Sequence, residues 1–476
     1  MSARRYAVVG TGARAGLYIR ALAGRYAADA AIVAWCDTNR ARMNYYDDLL
    51  TAAGRTSPAQ YGPDDFGRLL DTERPDAVLV TSPDHTHPRY AAQALRAGCD
   101  VILEKPVATS ADGARTLADA ARTSAGTLRV TFNYRYSPRN SVLRRVIADG
   151  IIGKVTSVHF EWVLDTVHGA DYFRRWHREK TASGGLLVHK SSHHFDLVNW
   201  WIGDIPDTVY ARGALRFYGP ASARERGLEE RQGRSFGAPG MAADPFALDL
   251  QAAPALRRLY LEAEAEDGYI RDRDVFSPGI SIEDNLAVLV GYRSGALLTY
   301  SLNAHSPWEG CRVSVNGDAG RAELEVVERG HVRSVADGSV SGRPAVDPMV
   351  SLGADAGTTI RVGRGGADAG DLRPVCERLL VQRHWEPARA VPIPEAAGAH
   401  AGGDEPLLES LFGREAPADP LGQRADYADG LASVAIGLAA NESIATGTVI
   451  DVSRLGLELG RAPGRAPGPR TSWRRR

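Results

Sequence analysis

The chain has 476 residues, enough for two domains that each bury a hydrophobic core. Its 57 basic and 58 acidic residues nearly cancel, which argues against a nucleic-acid or anionic-membrane partner and favours a small-molecule ligand. Four cysteines without paired spacing argue against a zinc site or a disulfide framework. No apolar stretch reaches the roughly 20 residues that span a bilayer, and none precedes the first strand, so we expect a cytoplasmic protein.

Residues 1–135 alternate short apolar strands with alanine- and leucine-rich helices, the pattern of a parallel α/β sheet. The strands are predicted at 6–9, 31–36, 77–80, 101–103 and 128–132, and two of the helices at 17–25 and 89–97. We therefore expect an α/β fold whose first domain covers residues 1–135.

The pattern changes after residue 135 to longer alternating runs, such as 155–163 and a hairpin formed by 286–292 and 296–303. These runs predict an α+β second domain with a mainly antiparallel sheet over residues 136–459. Its other predicted features are insertions near 219–250 and 335–405, an amphipathic helix at 427–446 and a short strand at 449–452. The basic, Pro/Gly-rich tail 460–476 is expected to be disordered and solvated.

A glycine-rich turn, Gly10-Thr11-Gly12-Ala13-Arg14-Ala15, follows the first strand and matches the dinucleotide fingerprint Gly-x-Gly-x-x-Gly/Ala. Gly10 allows the tight turn, Gly12 lets the backbone approach a pyrophosphate, and Ala15 lets the helix pack closely on the strand. The sequence thus predicts a nucleotide site to which Thr11, Ala13 and Arg14 also contribute.

Asp37 ends the second predicted strand, where a carboxylate can accept hydrogen bonds from the adenosine ribose hydroxyls. This position favours NAD as the cofactor. Arg40 and Arg42 follow closely and offer partners for a 2′-phosphate, so NADP stays open.

Two further segments are expected at the same edge of the sheet, where open α/β folds bind ligands. In the run 81–87, Ser82, Pro83 and His87 are predicted to contact the cofactor, although His87 suits a helix cap equally well. Glu104-Lys105-Pro106 ends the next strand, and both Glu104 and Lys105 are predicted to contact the cofactor. A lysine held there can reach a nicotinamide and a substrate hydroxyl.

These segments are joined by Asn133-Tyr134-Arg135-Tyr136 and by Gly184-Gly185 followed by His193 and Asp196. In this order they resemble the glucose–fructose oxidoreductase, inositol dehydrogenase and MocA family (Gfo/Idh/MocA), over nearly the whole chain. The resemblance implies a Rossmann NAD(P)-binding domain followed by an α/β domain with an open antiparallel sheet. It also implies NAD(P)-dependent oxidation of sugars or cyclitols and a homo-oligomer, a dimer or a tetramer.

The resemblance assigns catalysis to Lys105 and His193. A neutral histidine suits removal of a hydroxyl proton at pH 7, and Lys105 would orient the hydroxyl or relay its proton. Many relatives carry aspartate where this chain has His189, so we expect His189 to take part in a different proton relay. His189 and His193 could share one helical face and bind a metal with Asp196. We expect no metal, because the glycine pair delays the start of the helix.

A run dense in aromatic and arginine side chains, residues 168–177, suits a polyhydroxylated ligand, although it equally suits a loop packed by its own aromatics. The predicted substrate contacts from this run are Tyr172, Arg175 and Trp176. The resemblance adds Tyr134 and Arg135, and both His189 and His193 are expected to face the substrate.

We therefore predict a dehydrogenase that transfers hydride between NAD(P) and a secondary hydroxyl of a sugar, glycoside or cyclitol. One alternative is an enzyme that retains its NAD, oxidises a sugar transiently, eliminates a neighbouring group and returns the hydride. A second alternative is a non-catalytic nucleotide-binding sensor, which the fold permits.

Overall fold

The computed structural model describes residues 3–228, 231, 233–241, 244–332, 373–395, 402–415 and 417–460. The insertion predicted at 335–405 lies mostly outside the described residues. Of the tail predicted at 460–476, only the first residue is described.

Six described strands form a parallel sheet in the order β3-β2-β1-β4-β5-β6. The strands are β1 (Arg4–Val9), β2 (Ala30–Cys36), β3 (Ala59–Tyr61), β4 (Ala77–Val80), β5 (Asp100–Leu103) and β6 (Leu128–Val130). The chain moves outward from β1 in one direction and then returns to continue from β4 in the other. The carboxyl ends of β1 and β4 therefore meet at the switch point where such sheets bind ligands.

Helices cover this sheet, and every residue of β4 is buried. This burial explains why the strands read as continuous apolar runs rather than alternating ones. The helices are α1 (Ala15–Ala23), α2 (Arg40–Ala52), α3 (Phe66–Glu73), α4 (His87–Arg96) and α5 (Ala111–Thr123). The predicted parallel α/β arrangement of the first part of the chain is confirmed.

A second sheet has nine described strands in the order β14-β13-β12-β11-β7-β10-β9-β8-β15. Its strands are β7 (Val155–Asp165), β8 (Pro206–Ala214), β9 (Asn285–Tyr292), β10 (Leu297–Ser306), β11 (Glu309–Gly317), β12 (Gly320–Arg329), β13 (Cys376–Arg383), β14 (Arg389–Val391) and β15 (Ile450–Asp451). The β7–β10 pair is parallel and the other pairs are antiparallel. The predicted mainly antiparallel sheet is therefore confirmed.

The remaining described helices follow the first sheet in the chain, and two of them contribute Leu256, Leu408 and Phe412 to a core cluster of the first sheet. The remaining helices are α6 (Pro138–Ala148), α7 (Thr166–Arg174), α8 (Lys180–Ser183), α9 (Leu186–His189), α10 (Ser191–Ile202), α11 (Gly219–Glu225), α12 (Pro254–Leu256), α13 (Glu264–Asp267), α14 (Asp404–Phe412) and α15 (Tyr427–Thr446). Among the described helices, none is long and apolar enough to cross a membrane.

The long helix α15 fixes the position of the short helix α9. A Cβ added at Gly437 of α15 would lie 2.5 Å from the carbonyl oxygen of Leu187 in α9, so only glycine allows this close approach. The neighbouring Ser433 hydroxyl donates a hydrogen bond to the Ser192 carbonyl at 2.8 Å. The first contact holds α9, and with it His189, against α15, and the second holds the start of α10.

The connection between β8 and β9, residues 215–284, contains the predicted 219–250 insertion and is longer than it. Described residues of this connection pack onto the first sheet, where Leu250 and Leu259 are buried in the same core cluster as Tyr18 and Ile19 of α1. Apolar burial of this kind stabilises the contact between the connection and the nucleotide-binding half of the molecule. We call the described residues within 215–284 the covering segment.

Candidate functional site

A cavity opens at the carboxyl edge of the parallel sheet, between the glycine-rich turn and the second sheet's helices. Its walls come from the strand ends of the first sheet, from the segment around α8 and α9, and from the covering segment. The lining includes Gly10, Gly12, Ala13, Arg14, Asp37, Arg42, Ser82, Pro83, Asp84, His87, Glu104, Lys105, Arg175, Trp176, His177, His189, Tyr260, Asp267 and Tyr269.

The glycine-rich turn has the shape that a dinucleotide needs. Gly10 has φ +87°, and a Cβ there would lie 2.5 Å from the backbone of Ser82. At Gly12 a Cβ would meet only the Tyr260 hydroxyl, at 4.0 Å, so this part of the backbone is open to a ligand. The turn therefore fits a bound pyrophosphate, as the sequence motif predicts.

We expect Gly10→Ala to weaken NAD binding by roughly tenfold or more, because the new methyl group forces the turn away from Ser82. Isothermal titration with NAD measures this loss. Gly54→Ala is the matched control, since Gly54 also has positive φ, +71°, but has no heavy atom near its would-be Cβ. Equal NAD affinity in wild type and Gly10→Ala would contradict the assignment of the turn to the cofactor.

Asp37 lies in the cavity wall at the end of β2, where the sequence predicts a ribose contact. The backbone N–H and the hydroxyl of Thr11 donate to Asp37 Oδ2 at 2.5 and 2.9 Å. The Asn39 backbone N–H donates to Asp37 Oδ1 at 2.9 Å. Thr11 is described but is not part of the lining, so it holds Asp37 in place rather than facing the ligand.

Arg14 and Glu104 form an ion pair in the cavity wall, with Arg14 Nε 2.5 Å from Glu104 Oε1. The Tyr18 hydroxyl also donates to Glu104 Oε1, at 2.5 Å. Burial alone would raise the pKa of Glu104, but Arg14 and the Tyr18 hydrogen bond hold that pKa below its ordinary value. Glu104 is thus a permanent anion that keeps Arg14 beside the glycine-rich turn.

His87 occupies the first position of α4 and lies in the lining. Its two ring nitrogens lie 2.7 Å from the Pro106 carbonyl oxygen and 2.9 Å from the Ser82 carbonyl oxygen. Burial lowers the pKa of His87. The ring therefore links the turn after β4 to the segment after β5, and both segments form the cavity floor with Ser82 and Pro83.

Lys105 lies in the cavity wall and is 5 % exposed. Its Nζ donates a hydrogen bond to the backbone carbonyl of His189 at 3.2 Å. Burial lowers the pKa of Lys105 to about 7, although Asp84 and Glu104 act in the opposite direction. A lysine in this state can give or take a proton near neutral pH.

His189 lies at the end of α9 with Nδ1 2.5 Å from Asp84 Oδ2. Burial lowers the pKa of His189, with Lys105 contributing, while burial raises the pKa of Asp84. The His177 ring packs edge-on against His189 at 4.1 Å between centroids. The site therefore holds a neutral imidazole in a fixed orientation.

His193 occupies a different position from the one the sequence suggests. Its ring stacks on Tyr134 at 4.6 Å and contacts Phe132 edge-on at 5.9 Å. Both His193 and Tyr134 are described, and neither is part of the cavity lining. The structure thus brings His189 to the cavity with Lys105, and the catalytic role of His193 stays a prediction.

The structure places Arg135 outside the cavity lining, and its contact with a substrate stays a prediction. Its guanidinium is buried and forms two hydrogen bonds to the Asp196 carboxylate, at 2.8 and 2.6 Å, with Asp429 also within 3.1 Å. These bonds connect the 133–136 turn to α10 and α15. The positive charge of Arg135 therefore stabilises the packing of these elements. Tyr134 is likewise a packing residue, stacked on both His193 and Trp162.

Some residues of the aromatic run at 168–177 line the cavity, and others pack behind its lining. Arg175 and Trp176 line the cavity, and their contact with a substrate stays a prediction. Tyr172 is buried behind the lining, where its hydroxyl lies 3.3 Å from His168 Nε2 and its ring lies 5.7 Å from that of His189. Tyr172 therefore supports His189 instead of facing the ligand.

Sequence reasoning did not assign Asp84, His177 or the three cavity residues of the covering segment. Asp84 lies in the run 81–87 and His177 in the run 168–177. Both runs are predicted to contact a ligand, so the sequence could have indicated these two residues. Tyr260, Asp267 and Tyr269 follow no motif.

Among the described residues, no group of three or more His, Cys, Asp or Glu side chains is placed to hold a metal ion.

Two family models match the chain and together cover more than half of it. The NAD-binding Rossmann-fold domain of an oxidoreductase family matches residues 4–132. The C-terminal alpha/beta domain of the same oxidoreductase family matches residues 144–344.

Curated relatives match part of the chain. A protein of Bacillus subtilis (strain 168) that bears the name "Putative oxidoreductase YteT" is 40% identical over 272 residues, 56% of this chain and 63% of that protein. Inositol 2-dehydrogenase of Rubrobacter xylanophilus is 29% identical over 213 residues, 43% of this chain and 54% of that protein. The chain thus spans between about half and two thirds of the length of these relatives.

A solved structure shares the fold over most of the chain. The WlbA dehydrogenase of Bordetella pertussis, in complex with NADH and UDP-GlcNAcA, has a TM-score of 0.58. The similarity covers 94% of this chain and 99% of that chain, at 17% sequence identity. At this identity the likeness concerns the fold alone.

Proposed function

Because the chain belongs to the Gfo/Idh/MocA family of oxidoreductases, with an NAD-binding Rossmann-fold domain, we propose that it is a dehydrogenase acting on a polyhydroxylated substrate. In this proposal it transfers hydride between NAD and a secondary hydroxyl carbon of a sugar, glycoside or cyclitol. One observation carries the proposal. Lys105 and the His189–Asp84 pair line the same cavity as the open backbone of Gly12 and the carboxylate of Asp37.

The cavity residues form two groups: those that would bind the nucleotide, and those that act on the substrate hydroxyl, which we call the chemical half. Gly12 and Asp37 would hold the pyrophosphate and the adenosine ribose, and bound NAD would supply the hydride acceptor. The substrate hydroxyl must lose its proton as the hydride leaves its carbon, and Lys105 Nζ takes that proton. The neutral His189 ring, fixed by Asp84, hydrogen-bonds and orients the hydroxyl.

Arg175 and Trp176 form the wall next to this chemical half. A guanidinium donates hydrogen bonds to hydroxyl oxygens, and an indole ring packs against the apolar C–H face of a sugar. This combination supports a carbohydrate or cyclitol as the substrate class. We also propose, from the family resemblance, that the protein forms a homo-oligomer.

The rate of oxidation should depend on pH through Lys105. Its pKa is lowered to about 7, and only the unprotonated amine can accept the hydroxyl proton. We therefore expect kcat/KM for oxidation to rise as pH increases through about 7 and then to level off. The reverse reduction needs the protonated amine, so its rate should fall over the same interval. A profile for wild type that stays flat across this interval would contradict the assignment.

The direct test of the function mixes the purified protein with NAD, and separately NADP, across a panel of sugars, glycosides and cyclitols. Absorbance of the reduced nicotinamide is recorded. Reduced NAD appearing with one ligand class supports the dehydrogenase and identifies the substrate class. Nucleotide binding with neither reduced cofactor nor altered sugar would instead support a sensor.

A second candidate is the enzyme that retains its NAD and returns the hydride after elimination. The covering segment favours it, because Tyr260, Asp267 and Tyr269 close one side of the nucleotide site. In the same assay, a chemically altered sugar without net reduced nicotinamide would support this second candidate over the first.

A further inference from the structure

The covering segment supplies one wall of the nucleotide site although it lies more than 200 positions after the glycine-rich turn. The Tyr260 hydroxyl accepts a hydrogen bond from the Ala13 backbone N–H at 3.2 Å. The Asn39 side chain donates to the Ala263 carbonyl at 2.9 Å, at the start of α2. These bonds attach the covering segment to the glycine-rich turn and to α2, the two elements that form the adenosine end of the site.

Arg42, near the start of α2, makes several contacts with the covering segment. The sequence offers it as a partner for a 2′-phosphate, but Arg42 Nη1 lies 2.8 Å from Asp267 Oδ2 in the covering segment. Its Nε donates to the Leu259 carbonyl at 3.1 Å. The guanidinium also lies over the rings of Tyr260 and Tyr269, at 5.8 and 5.5 Å. Arg42 is thus neutralised and held by the covering segment.

The charge at this end of the site is therefore negative. Asp37 and Asp267 both line the cavity, while the positive charge of Arg42 is balanced by Asp267. Arg40, the other candidate for a 2′-phosphate, is exposed and is not among the described lining residues. A ribose hydroxyl can donate to a carboxylate, whereas a 2′-phosphate would be repelled by it.

We propose that Asp267 is a specificity-determining residue, which excludes dinucleotides with a 2′-phosphate by holding and neutralising Arg42, so that its guanidinium is not free to balance the repulsion between a 2′-phosphate and the Asp37 carboxylate. The covering segment then selects NAD over NADP, in addition to enclosing the site. This proposal rests on nucleotide binding by the Rossmann-fold domain and not on the identity of the sugar or the direction of hydride transfer.

The test is Asp267→Asn, which keeps the side-chain shape and removes the charge. Asn can still accept the Tyr269 backbone N–H that Asp267 Oδ1 accepts at 3.1 Å. We expect NADP affinity to rise by roughly tenfold or more while NAD affinity changes less than about threefold. Titration calorimetry with each dinucleotide measures both affinities without any turnover.

Two further variants make the result specific. Glu262→Gln removes an exposed carboxylate that pairs with Arg257 at 2.9 Å elsewhere in the covering segment, and it should leave both affinities unchanged. Adding Arg42→Gln to Asp267→Asn should abolish the gain in NADP affinity, because the released guanidinium is its source. Unchanged NADP affinity in a folded Asp267→Asn protein would overturn the proposal.

A competition assay on the wild-type protein covers the case in which Asp267→Asn does not fold. The fragments 5′-AMP and 2′,5′-ADP differ only in the 2′-phosphate, and we expect 5′-AMP to bind at least about tenfold more tightly. Equal binding of the two fragments would overturn the proposal. Because no sugar is present, the outcome is independent of whether the proposed dehydrogenase activity is found.

Discussion

Lys105→Met is expected to lower kcat for oxidation by roughly 10³-fold while changing NAD affinity by less than about threefold. Methionine keeps the length and burial of the side chain but has no amine to accept the hydroxyl proton. The comparison of kcat from steady-state assays with the Kd from titration separates chemistry from binding.

Lys190→Met is the matched control. Lys190 is also buried, and its Nζ has no hydrogen-bond partner among the described residues. It lies over the Trp162 and Tyr134 rings, at 5.4 and 5.8 Å, and outside the described cavity lining. Its replacement should change kcat by less than about tenfold. A Lys105→Met enzyme that keeps the wild-type kcat would exclude Lys105 as the proton acceptor.

His189→Asn is expected to lower kcat by roughly 10²-fold or more, and by more than His193→Asn does. His189 lines the cavity and is oriented by Asp84, whereas His193 is packed against Tyr134 and Phe132. Parallel measurements of kcat and NAD affinity for the two variants give the ranking. The resemblance alone predicts the opposite ranking, with His193 as the base.

Asp84→Asn extends this comparison to a positioning residue. It should lower kcat less than His189→Asn does, because the imidazole remains and only its orientation and basicity change. A large loss in His193→Asn together with wild-type kcat in His189→Asn would restore the assignment made from the sequence.

The sequence predicts the parallel sheet well because its strands are buried on both faces and read as continuous apolar runs. The edge strand β3, Ala59–Tyr61, was not predicted, since three residues with one buried side chain carry almost no pattern. The glycine-rich turn and Lys105 could also be predicted from the sequence. Both lie in short motifs, because the backbone geometry that they need involves only a few consecutive residues.

Features that depend on distant contacts were not readable in this way. Arg135 belongs to the 133–136 motif, but its partners Asp196 and Asp429 come from α10 and α15, and only the folded chain shows that they neutralise it. Tyr260 and Asp267 reach the nucleotide site through a segment with no motif of its own. His189 was noticed as a departure from relatives, whereas its partner Asp84 is evident only in the structure.

In the proposed reaction, hydride passes between a substrate carbon and NAD in this cavity while Lys105 accepts the hydroxyl proton. Stopped-flow absorbance of the NAD-loaded wild-type protein, mixed with the substrate found in the panel, follows this hydride transfer in time. We expect the reduced-nicotinamide band to appear before or together with product, and to be lost in Lys105→Met. Product formed at the wild-type rate with no reduced nicotinamide at any time would contradict the claim.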